Sequence, residues 1–135
     1  MKKLLLAVVM LMVLVSVSFG ATWTDLGKFE DYKIARANAQ QADADGNTKQ
    51  AVEYYVQASE LAKEFATPEI AGWQLNNAGR LLLLSYKLGM SSAILEEAKT
   101  LLDDAQEIAG ECECTVLNEK IQNNLDAVNY WLTLK

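Results

Sequence analysis

The sequence predicts an all-α chain: five helices folded as antiparallel hairpins, stacked as about two related units and closed by a C-terminal capping helix. Three observations predict it. Apolar residues recur every three or four positions through five successive segments. A small-large-small pattern, Ala51, Tyr55 and Ala58, returns as Ala98, Leu102 and Ala105. Pro68 is the one proline and no Gly/Ser-rich linker interrupts the chain, so residues 21–135 read as a single domain with a modest core.

Residues 1–20 read as a cleaved secretory leader. Lys2 and Lys3 form a basic start, Leu4 to Val17 carries no charge, and Ser18 and Gly20 place small residues where a signal peptidase reads. Cleavage is expected before Ala21. The run from Leu4 to Phe19 is shorter than the ~20 apolar residues that span a bilayer, so no membrane span is expected after cleavage. The only cysteines, Cys112 and Cys114, lie far from the cleavage site, which argues against a lipid anchor. The expectation is an exported protein, periplasmic or extracellular.

The chain has 12 Lys+Arg against 18 Asp+Glu. Losing Lys2 and Lys3 with the leader leaves ten basic residues and a net charge of −8. Nucleic-acid binding needs a cationic footprint, so that class is excluded. The acids are spread along the chain and read as solvated helix surface. Histidine is absent. With it go the Ser-His and Cys-His nucleophiles, His-based zinc sites and the commonest general base at neutral pH. The pairs Glu96-Glu97 and Asp103-Asp104 do not replace it, because sequence neighbours on a helix do not face one another. No enzyme, cofactor or histidine-based metal site is expected.

The first helix is expected from an N-cap at Thr24 to about Ala44, with Leu26, Phe29, Tyr32, Ala35, Ala39 and Ala42 on its apolar face. Asp45-Gly46-Asn47 ends it. The second, about Thr48 to Ala66, carries Ala51, Tyr55, Ala58, Ala62 and Phe65 along one face, widened by Val52, Val56 and Leu61. A helix apolar on two sides suits a stacked hairpin, which packs within itself and against the next. Thr67-Pro68-Glu69 combines a capping hydroxyl, a proline at the first helical position and an acid in the positive first turn, and starts a third helix running to about Leu88. Gly79 in its middle marks a close helix contact, since glycine there costs about 1 kcal/mol of propensity. Gly89 ends it. The fourth helix follows Ser91-Ser92 and gives way at Gly110 to Glu111-Cys112-Glu113-Cys114. The fifth, about Thr115 to Leu134, carries Val116, Leu117, Ile121, Leu125, Val128, Trp131 and Leu132.

The turn glycine Gly46 followed by Ala51, Tyr55 and Ala58 resembles the second half of a tetratricopeptide repeat, a helical hairpin of about 34 residues. Leu75-Asn76-Asn77-Ala78-Gly79 is similar to the first-helix core of that family in the style of kinesin light chains. The resemblance covers roughly residues 32–132. Ala51 and Ala98 are 47 positions apart, and the extra length lies in longer helices and the Leu88 to Ser92 connection.

The resemblance implies that a peptide or protein partner lies along a concave face made by the first, third and fifth helices. That face would present Lys33, Arg36 and Gln40, then Trp73, Asn76, Asn77 and Arg80, and finally Lys120 and Asn124. Some co-chaperones of the family clamp a peptide's C-terminal carboxylate with a basic residue and asparagines. Arg36, Asn77, Lys120 and Asn124 stand at similar places, with Gln40 where an asparagine is usual. Of the aromatic residues, Tyr86, Tyr130 and Trp131 read as core at helical spacing. The repeat register turns Trp73 toward the concave face.

In an exported protein Cys112 and Cys114 are expected to be oxidised, to each other or to a second chain. A bond across one residue closes a very small ring, and strained disulfides are the reducible ones. A structural pair, a dimer link, a redox pair and a metal site with outside ligands all remain open. The leading expectation is an adaptor or scaffold binding a partner on stacked helices. The alternatives are a structural bundle of the cell envelope, self-associating through Trp131, Leu132 and Leu134, and a thiol redox protein using Cys112 and Cys114.

Overall fold

The computed structural model describes residues 23–65 and 67–134. The leader expected over residues 1–20 lies outside the described residues, as does its cleavage site. Five helices follow in order: α1 Trp23–Ala44, α2 Thr48–Phe65, α3 Pro68–Lys87, α4 Ala93–Glu111 and α5 Thr115–Thr133. Each packs against the next, and α5 also packs against α3. The chain is thus two helical hairpins, α1–α2 and α3–α4, joined through α2 and α3, with α5 laid across the second. Among the described residues no helix is long and apolar enough to cross a membrane.

The small residues set how closely the helices approach. Ala35, Ala39 and Ala42 of α1 are buried, as are Ala51, Ala58 and Ala62 of α2. Tyr55 fills the space between them. Val52 and Ser59 are buried too, so α2 is covered on two sides. The second hairpin repeats the arrangement, with Ala98, Leu102 and Ala105 of α4 wholly buried. Leu117, Ile121, Leu125 and Val128 close the core from α5.

Several expected positions differ. α1 begins at Trp23, so Thr24 lies inside the helix instead of capping it. Leu26 and Phe29 are half exposed. Phe29 still meets Phe65 edge-on with ring centroids 5.4 Å apart, and Lys28 pairs with Glu64. Thr67 is the N-cap residue of α3, but its hydroxyl makes no capping bond. Its carbonyl accepts the Ile70 N–H at 3.1 Å instead. Val116, expected on the apolar face of α5, is exposed, whereas Trp131 and Leu132 are half-buried against the core. Helix α4 runs through Gly110 to Glu111.

Two of the connections are closed by glycine in the left-handed region, Gly46 at φ +75° and Gly89 at φ +96°. Their N–H groups bond to the Asp43 and Tyr86 carbonyls, and those of Asn47 and Met90 reach the carbonyls of Ala42 and Ser85. These paired bonds satisfy carbonyls that a helix end would otherwise leave orphaned.

Candidate binding furrow between α1 and α3

Because α1 and α3 both pack on α2, they leave a furrow between them. It encloses about 390 Å³. Phe29, Tyr32, Lys33 and Arg36 form the α1 wall, and Ile70, Trp73 and Gln74 the α3 wall. Three of the residues expected to meet a partner, Lys33, Arg36 and Trp73, are therefore brought together. The Trp73 indole is half-buried, and its N–H donates to Glu69 at 3.3 Å from one turn earlier. Lys33 pairs with Glu30 at 2.9 Å and stands 5.2 Å over the Phe29 ring.

Arg36 and Arg80 make no ion pair among the described residues. Both act electrostatically on one buried group, Tyr55. Burial raises the pKa of the Tyr55 phenol above its ordinary value and the Asp43 carboxylate adds to this, while Arg80 and Arg36 pull it the other way. One guanidinium from α1 and one from α3 thus lower the pKa of the same phenol. Gln40 is exposed one turn beyond Arg36, and Asn77 is half-buried one turn beyond Trp73.

Gln74 was not foreseen. It is buried, it donates to the Tyr32 hydroxyl across the furrow at 3.4 Å, and its carbonyl oxygen has no partner among the described residues. Orphaned buried acceptors of this kind cost about 1–3 kcal/mol. The only signal for it in the sequence is one amide within the otherwise apolar run Ile70-Ala71-Gly72-Trp73-Gln74-Leu75.

Asn76, expected on the partner-facing side, is engaged within the fold instead. Asn76 is buried and accepts the Asn124 amide N–H at 2.9 Å, so the two asparagines bind each other and join α3 to α5. The reason is that α5 covers the side of α3 on which Asn76 stands. Lys120 is exposed on α5, and α5 packs on α3 and α4 but not on α1, so Lys120 and Asn124 stand apart from the furrow.

At the far end of the second hairpin, Cys112 and Cys114 are joined by a disulfide, with Cα atoms 5.2 Å apart. The Trp131 ring sits between Tyr86 and Tyr130, at 5.7 and 5.4 Å.

Fold and furrow define an all-helical protein of packed hairpins with a cationic, aromatic-walled cleft. No protein-family model, no curated protein and no solved structure matches the chain.

Proposed function

We propose that this is an exported, non-enzymatic interaction module of tetratricopeptide-like build, which holds a protein or peptide partner in the furrow between α1 and α3. One observation carries the reading: in a chain with 18 acidic residues, Arg36, which makes no ion pair among the described residues, lines one furrow with Trp73 and Gln74. Charge-assisted bonds to a partner's carboxylates would contribute about 1.5–3 kcal/mol each. Absence of histidine supports a binding role over a hydrolytic one. The expected leader supports export to a periplasmic or extracellular location, and N-terminal sequencing of the processed protein beginning at Ala21 would test it.

The test of the furrow is affinity capture from the native cell envelope, with an Arg36→Glu, Arg80→Glu double variant as control. A discrete partner retained by the wild type and lost by the double variant supports the reading. A partner lost instead with Lys120→Glu would move the site to α5, and equal recovery by all three would overturn the furrow.

A second reading has its own observation. Leu88, Met90, Tyr130 and Leu134 are exposed apolar residues, and they favour a structural bundle of the envelope that self-associates. Mass that rises with concentration, and falls back on Tyr130→Ser, Leu134→Ser, would support it.

A further inference from the structure

Three helices of this chain end in one backbone pattern. A residue in the left-handed region donates its N–H to the carbonyl three residues back, and the next N–H reaches the carbonyl five back. At the ends of α1 and α3 that residue is glycine. At the end of α4 it is Glu113, with φ +53°, the sole non-glycine of positive φ among the described residues. Its N–H bonds to the Gly110 carbonyl at 3.3 Å, and the Cys114 N–H to the Ala109 carbonyl at 3.1 Å. A side chain makes this conformation unfavourable, which is why glycine holds the other two positions.

The two residues flanking Glu113 are Cys112 and Cys114, and they are bonded to each other. We propose that this disulfide is a redox-responsive clip that holds the α4–α5 turn left-handed and thereby fixes how α5 starts. Cys112 caps α4, and the Cys114 carbonyl accepts the Asn118 N–H at 2.9 Å as α5 begins. Cys114 is half-buried against the main core beside the first docked residue of α5, Leu117. The covalent bond supplies here what glycine supplies at the other two turns.

The clip is also reachable. A recess of about 250 Å³ is bordered by Glu113, Cys114, Thr115 and Asn118. Through it the thiolate of a small dithiol attacks Cys114 Sγ, the bond to Cys112 breaks, and Cys112 leaves as a thiolate that takes up a proton. The second thiolate of the reductant then attacks its own sulfur in the mixed disulfide and releases Cys114, which is protonated in turn. Two electrons pass to the protein, and the reductant ends as its own disulfide. With the clip open, only two backbone bonds hold Glu113 left-handed, and the turn opens more often.

Amide hydrogen exchange of the full chain, with and without dithiothreitol, tests this. Dithiothreitol is expected to reduce the pair in the folded protein and to raise exchange at Cys114 and Asn118 about tenfold, the order set by one strained backbone residue. A Cys112→Ser, Cys114→Ser variant should show the faster exchange without reductant. Adding Glu113→Gly to it should restore the slow rate to within about twofold, because glycine adopts the conformation unaided. A disulfide that resists dithiothreitol until the protein unfolds would overturn the proposal. So would equal exchange in both redox states, or a Glu113→Gly change without protective effect.

Discussion

A Cβ placed on Gly79 would lie 2.6 Å from Leu102 Cγ and 3.3 Å from the Ala98 carbonyl oxygen, so α3 and α4 meet through a position that has no room for a side chain. Leu102 is wholly buried and Ala98 O belongs to the backbone, so neither yields cheaply. Gly79→Ala should therefore destabilise the fold. Overpacking costs about 1–3 kcal/mol, of which improved helix propensity returns up to about 1 kcal/mol. Gly110→Ala is the control: its Cβ meets nothing within 4 Å, and the substitution should be neutral or stabilising by up to about 1 kcal/mol. Urea denaturation of both variants distinguishes packing from propensity.

The bond from Asn124 to Asn76 makes a second prediction. Asn76→Ala removes the acceptor and leaves Asn124, only half-buried, able to turn to water. A loss of about 1–2 kcal/mol is expected, with Asn124→Ala costing about the same or more, because it leaves the buried Asn76 acceptor without its partner. The double variant should lose less than the sum, by about 0.5–1.5 kcal/mol. Strict additivity in the denaturation midpoints would show that the two side chains do not act together.

The helical pairing was legible because a 3.6-residue period reports directly which residues share a face. Ala51, Tyr55 and Ala58 are buried as that period requires, and Ala98, Leu102 and Ala105 repeat them. Leu26, Phe29 and Val116 follow the same period yet are exposed, since the pattern says nothing about where the opposing helix ends. Asn76 was misread for a related reason. Helical spacing places it on α3 but does not tell which flank α5 covers. Gln74 and the turn at Glu113 were illegible on different grounds. An amide's missing partner exists only in three dimensions, and a disulfide can impose a conformation that local sequence signals assign to glycine.

Trp73 separates stability from recognition. It lines the furrow with part of its surface and packs against the core with the rest. Full truncation of a buried tryptophan costs about 3–5 kcal/mol, and a half-exposed one should lose about 1–2 kcal/mol. Trp73→Phe should keep most of that packing. If the furrow holds the partner, Trp73→Ala lowers affinity at least about tenfold, a loss characteristic of a binding anchor. Paired thermal denaturation and partner titration check this, and a large fall in thermal stability with unchanged affinity would place Trp73 in the core alone.

The Tyr55 phenol gives the arginines a measurable reporter. Burial raises its pKa above the ordinary 10.0, with Asp43 acting in the same direction and Arg80 and Arg36 against it. Above pH 10, then, the folded chain still holds a proton that the unfolded chain has lost. Stability from this source is complete below the unfolded value and falls as pH rises through the folded one. Tyr55→Phe should remove that part of the alkaline loss, read as a flatter dependence of unfolding free energy on pH above about 10. Arg36→Met or Arg80→Met takes away an opposing charge, so the phenol should titrate at still higher pH in each. Tyrosinate absorbance followed against pH checks the order: both arginine variants above wild type if α1 and α3 converge on this hydroxyl, and no change in either if the guanidiniums stand away from it.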